Sequence, residues 1–167
     1  MKTSSLRLLL ALLPLAVPLA ARADRMTLPA DTPPAFQAEC ASCHLAFPPQ
    51  LLVAEDWKRV MGMLDKHYDD NASLDEKTRA TLENFLVMNA GNPGKLGAGG
   101  TASGAAEPPR LTATAWFKRK HNKVPQADWR NVKVKTAANC GACHTRAAEG
   151  SYREREIVMP SGRKWED

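Results

Sequence analysis

Hydrophobic and polar positions along the chain follow helical spacing almost throughout, and no run of alternating β-branched residues suggests a sheet. Trp57, Val60, Met61, Leu64 and His67 recur at three- and four-residue steps, which predicts one helix carrying all five on a single face. "SLDE", residues 73 to 76, matches a capping box and predicts a helix with Leu82, Phe85 and Leu86 inside. Upstream, Thr32 before Pro33 reads as an N-cap and first-turn pair for a helix through "PAFQAEC". Ala113, Phe117 and His121 fall on one stripe at steps of four, while Lys118, Arg119 and Lys120 cover the outside. Thr136 can cap a helix through "AANCGACH". The fold class is mostly α.

Two stretches break this pattern. Residues 91 to 109, "GNPGKLGAGGTASGAAEPP", carry almost no large apolar side chain and read as a flexible Gly/Pro-rich linker. They separate an N-terminal unit, residues 24–90, from a C-terminal unit, residues 111–167, with the linker taken as 91–110. At the start, Lys2 and Arg7 precede an apolar run from Leu8 to Ala20, and Ala21-Arg22-Ala23 offers a cleavage site. Residues 1–23 are therefore expected to be a cleaved signal peptide, and the mature chain to begin at Asp24. No later segment approaches about 18 continuous apolar residues, so a spanning helix is not expected. Export to the periplasm is the expectation.

Composition adds a shortage. Phe, Trp and Tyr make up 6% of the chain, so a mature protein of 144 residues has little material of its own for a core. Disulfides, metals or cofactors supply such surface in other small domains. Charge adds an asymmetry. Residues 24–109 hold 7 basic and 12 acidic side chains, whereas residues 110–167 hold 13 basic and 6 acidic. The net charge of the mature chain is only +2, and an exported protein is not expected to meet nucleic acid.

All four cysteines fall in two copies of one pattern: "CASCH" (Cys40, Cys43, His44) and "CGACH" (Cys140, Cys143, His144). A thioredoxin-like dithiol needs a βαβ setting that is missing. A four-cysteine zinc site is open to two such pairs but gives no reason for the histidine after each. A c-type haem explains every position: the thiols become thioethers and the histidine donates to the iron. Covalent haem attachment outside the bacterial cytoplasm agrees with the leader. Two apolar macrocycles would also supply the missing buried surface.

Two histidines remain, one in each unit. His67 lies on the apolar stripe of Trp57, and His121 follows Phe117 on the inward stripe. This leads to His44 and His67 as ligands of the first iron, and His144 and His121 as ligands of the second. Methionine is the competing ligand, with Met61, Met63 and Met88 after the first motif and Met159 after the second. The difference matters because thioether ligation raises the potential and a second imidazole lowers it. In the first unit the distal histidine follows its CxxCH, and in the second it precedes it, so the halves are not a simple tandem repeat.

At these residues the sequence resembles the small dihaem cytochromes c of bacterial electron-transfer chains. The likeness includes "ECASCHLAFPPQLL", "WKRVMGMLDKHYDDNASLD", "FLVMNA", "LTATAWFKRKH", "ANCGACHTRAAEG" and "IVMP". It implies two small cytochrome c-like helical haem-binding units holding two covalently bound c-type haems. It puts thioethers on Cys40, Cys43, Cys140 and Cys143, proximal ligation on His44 and His144, and distal ligation on His67 and His121. It also implies redox partners: a small open-site monohaem cytochrome c and a membrane-bound b-type cytochrome. An electron carrier without catalytic residues is the leading expectation. The alternatives are a small haem enzyme, a peroxidase or oxide reductase, and a gas-binding sensor with one labile distal ligand.

Overall fold

The structure is a computed structural model that describes residues 25–97 and 107–166. The expected signal peptide lies outside the described residues. Among the described residues six helices follow in chain order: α1 (Pro34–Cys40), α2 (Ala54–Met61), α3 (Glu76–Met88), α4 (Pro93–Leu96), α5 (Ala115–Lys120) and α6 (Gln126–Trp129). Short 3₁₀ turns link them, and pairing between extended segments among the described residues is confined to isolated bridges. The mostly helical expectation is met.

Local chemistry accounts for these ends. Pro34 occupies the first turn of α1, where a missing N–H costs nothing, and Pro33 takes the N-cap position. Thr32, expected as the cap, instead turns its hydroxyl back to the Pro29 carbonyl. Helix α2 carries Glu55 and Asp56 in its first turn and Lys58 and Arg59 in its last, matching the helix dipole at both ends. Helix α3 opens at Asp75, whose carboxylate accepts from the Thr78 N–H at 3.0 Å. The capping box expected from Ser73 is thus displaced by two residues, because aspartate in the extended position just before the helix competes better for the free N–H groups.

The helix expected from Trp57 through His67 is not continuous. It stops at Met61, Gly62 takes the C-cap, and a 3₁₀ turn at Leu64–Lys66 intervenes before His67. The periodicity was sound for Trp57, Val60 and Met61, but His67 reaches its place through a loop. That loop is unusual: Tyr68 and Asp69 have φ of 53° and 81°, the left-handed region that side chains rarely enter. The helix expected to start at Thr136 is likewise reduced to a single 3₁₀ turn at Cys140–Ala142, with Thr136 exposed.

One apolar core runs through both halves of the chain. Phe36, Leu52, Trp57, Val60, Met61, Leu82, Phe85 and Leu86 come from the first half; Leu111 and Phe117 from the second join the same cluster. The indole N–H of Trp57 donates to the Pro49 carbonyl at 2.7 Å, which fixes the chain running from the first CxxCH to α2. Of the stretch read as a linker, both described ends are packed: Leu96 and Pro109 are buried. Gly91 passes so close to Gln50 that a Cβ there would sit 2.3 Å from the Gln50 carbonyl oxygen. The chain start is clasped to the second half, where the Met26 N–H donates to the Gly150 carbonyl at 2.8 Å and Arg25 bridges Ser151.

Leu82 is the most buried side chain where α2 and α3 meet. Leu82→Ala is expected to lower the unfolding free energy of the haem-loaded protein by about 2–5 kcal/mol, read from denaturant titration.

Candidate functional site

Cys40 ends α1 and is half-buried, while Cys43 and His44 follow in the exposed turn after it. His44 Nδ1 lies 2.7 Å from the Leu45 carbonyl, which makes that nitrogen the N–H and leaves Nε2 with its lone pair. Across from it stands His67, with the ring centroids 6.1 Å apart and the planes 15° from parallel.

In the second half, Cys140 opens the 3₁₀ turn that leads to Cys143 and His144. The His144 N–H donates to the Cys140 carbonyl at 2.8 Å, and the Val158 N–H donates to the Cys143 carbonyl at 3.0 Å, so this turn is pinned from two sides. His121 caps the C-terminus of α5, and its Nδ1 lies 2.9 Å from the Phe117 carbonyl one turn earlier. The rings of His121 and His144 are 6.2 Å apart, with planes at 82°. The structure therefore brings together the two histidine pairs expected from the sequence, each pair 23 residues apart in the chain but in opposite order.

These distances suit a metal. A metal–imidazole nitrogen bond is ~2 Å, so one ion held between two facing rings separates their centroids by about 6 Å. Three of the rings are also held toward the neutral form. Burial holds His67 and His121 below the usual histidine range and brings His144 to about 4; a facing imidazole adds to this at His67 and His144. A neutral imidazole keeps the lone pair that a metal needs. The Nδ1 atoms of His67 and His144 are buried and make no hydrogen bond. At the cysteines, burial pushes the Cys40 and Cys140 thiols up to about 11, which keeps them protonated.

Aromatic side chains brace every imidazole. Phe47 stacks on His44 at 4.8 Å, Tyr68 meets His67 edge-on at 4.8 Å, Phe117 stacks on His121 at 4.0 Å, and Tyr152 leans on His144 at 5.3 Å. Tyr68 is itself held, since its hydroxyl donates to the Pro109 carbonyl at 2.5 Å and Arg110 lies over its ring at 4.6 Å. The sequence pattern singled out only Phe117 of these four. Tyr68 was signalled by adjacency to His67 alone, and nothing local marked Phe47 or Tyr152.

Between His121 and His144 lies an apolar cavity lined by Cys140, Cys143, Trp129, Val134, Tyr152 and Met159, and by Met26 and Leu51 from the first half. A thioether-forming cysteine pair, two neutral imidazoles and apolar walls fit a flat, apolar, iron-bearing macrocycle. A separate polar hollow, lined by Asp65, Tyr68, Asp69, Glu107 and Arg110, has neither cysteine nor histidine on its walls.

The family model for dihaem cytochrome c matches residues 36–152, a span that includes both CxxCH motifs and both remaining histidines. The chain belongs to the dihaem cytochrome c family. Similar solved structures agree with it. The X-ray structure of a dihaem cytochrome type c from Shewanella baltica OS155 is 33% identical, with a TM-score of 0.67, covering 80% of this chain and 97% of that one. A crystal structure of DHC purified from Rhodobacter sphaeroides is 38% identical, with a TM-score of 0.60, covering 72% and 97% respectively. A further structure of dihaem cytochrome c from R. sphaeroides is 37% identical, with a TM-score of 0.59, covering 73% and 98%. No curated protein matches the sequence. As a dihaem cytochrome c, the chain takes two c-type haems and is a haem-based electron-transfer protein.

If Cys140 and Cys143 form the second attachment site, Cys140→Ala with Cys143→Ala leaves one covalent haem per chain in place of two. Intact mass and the pyridine haemochrome spectrum measure this, and retention of both haems would remove the second motif from that role.

Proposed function

We propose that the protein is a periplasmic electron carrier whose two haem irons are each held between two imidazoles. Cys40 and Cys43 attach the first haem as thioethers, and Cys140 and Cys143 the second. His44 and His67 ligate the first iron, and His144 and His121 the second. The observation that carries this reading is the pairing of the rings at 6.1 and 6.2 Å. Both pairs fit one ion, so neither iron keeps an open position for a substrate.

The bound haem supplies a reversible one-electron change at iron. The chain supplies everything that sets its value. Two imidazoles hold the potential below that of a histidine–methionine pair, and apolar walls disfavour added charge. Met61 is committed to the helical core and Met88 is exposed, and at the first site His67 already faces His44. Met159 is buried on the wall of the second cavity, where His121 already faces His144.

Location and partners follow from the ends of the same argument. The leader at residues 1–23 and covalent haem attachment both favour the periplasm. Among the described residues no helix is long and apolar enough to cross a membrane. Exposed charge rims each distal histidine, with Asp65, Asp69 and Asp70 outnumbering Lys66 about His67, and Lys118, Arg119 and Lys120 before His121. Two docking faces result, an acidic one for a basic partner and a basic one for an acidic partner. A small open-site monohaem cytochrome c and a membrane-bound b-type cytochrome are the partners proposed.

Two measurements test this function. Carbon monoxide added to the fully reduced protein is expected to leave the spectrum unchanged, because both sixth positions are filled; rapid binding at one haem would favour an enzyme or a gas sensor. The rate of electron transfer to a small acidic redox protein is expected to fall steeply as ionic strength rises. A flat profile would remove electrostatic steering.

A further inference from the structure

The two imidazole pairs match in spacing but not in orientation. At the first pair the ring planes are 15° apart, and at the second they are 82° apart. From this difference we infer that the two irons are electronically distinct, and that Phe117 is the positioning residue that makes the second unlike the first. The inference rests on the bis-imidazole reading above.

The physical argument concerns the two iron dπ orbitals that can interact with axial ligands. An imidazole donates through the p orbital normal to its ring. Parallel rings both act on the same dπ orbital and raise it above the other. Crossed rings act on one each, so the two stay nearly equal in energy. A low-spin ferric ion with well-split orbitals gives an ordinary rhombic paramagnetic spectrum. With nearly equal orbitals the orbital moment survives, and the spectrum becomes strongly anisotropic, dominated by one large g value.

Something must hold the second pair crossed, since an imidazole on an otherwise free side chain turns about its Cβ–Cγ bond. At His121 two restraints come from one residue. The Phe117 carbonyl accepts the Nδ1–H at 2.9 Å, and the Phe117 ring lies 4.0 Å from the imidazole at 21°. Turning His121 by a quarter turn would break the hydrogen bond and lose the ring contact together. Phe117 cannot yield, because it is buried in the shared core and sits on α5, whose N-cap Thr114 accepts the Phe117 N–H at 3.1 Å. His144 is fixed independently by its 3₁₀ turn and Tyr152. At the first pair, the restraints come from four different places: Phe47 and the Leu45 carbonyl for His44, and Tyr68 and its strained loop for His67.

The test is low-temperature electron paramagnetic resonance of the oxidised, dihaem-loaded protein. One rhombic signal and one large-g signal of equal spin are expected. Two rhombic signals, or two large-g signals, would overturn the inference while leaving bis-imidazole ligation standing. A high-spin signal, or the optical band of methionine ligation, would overturn the ligation reading and this inference with it. Phe117→Leu nearly conserves volume and keeps the carbonyl but removes the ring face. It is expected to shift only the large-g signal toward the rhombic form, and Phe117→Tyr to restore it. An unmoved large-g signal in the leucine variant would remove Phe117 from the role; Phe117→Met serves if the leucine variant does not retain both haems.

Discussion

In the proposed bis-imidazole arrangement, two imidazoles drawn from distant parts of a chain must face each other at the span of one metal ion, and they must do so twice. That requirement organises this molecule more than its helices do. The helices are short, from four to thirteen residues, and several could not hold their shape in isolation. They serve as mounts. Helix α1 ends at Cys40, and α5 ends at His121. Each imidazole is then braced by an aromatic neighbour, and at His44 and His121 a hydrogen bond adds to the packing.

The same requirement explains why burial, hydrogen bonding and acidity agree at the site. An imidazole that must lend a lone pair has to be neutral, and burial achieves this without any nearby cation. A neighbouring lysine acts in the same direction. Lys120, next to His121, does disfavour the charged ring, yet the larger influence is loss of water. Exposed lysines and a buried imidazole coexist because α5 turns them in opposite directions.

The proposed ligand set rests on residue types alone, since four cysteines and four histidines left none to spare, and the structure brings those histidines close in the expected pairs. Much of their support could not. Helical spacing placed His67 on the correct side of the molecule, but Gly62 ended the helix, a 3₁₀ turn at Leu64–Lys66 completed the path, and two left-handed residues turn the chain away just after His67. Periodicity carries no information about such a path. Asp75 outcompeted Ser73 because capping depends on which residue adopts the extended conformation, something a four-letter motif does not specify. Phe47 and Tyr152 find their imidazoles only in three dimensions. The expected division of the chain rested on a change in composition and charge. The continuity of the core across that division, through Leu111 and Phe117, depended on where α5 would pack.

The clasp between Met26 and Gly150 has a consequence for how the chain is made. Gly150 adopts φ of 70°, and a Cβ there would lie 2.8 Å from the Met26 carbonyl oxygen, so this contact needs the bare backbone at that position. The first described residues emerge early from the ribosome, but their partner arrives only after more than 120 further residues have been added. Until then Arg25 and Met26 have no Ser151 or Gly150 to pair with. This clasp therefore closes only once nearly the whole chain has been made.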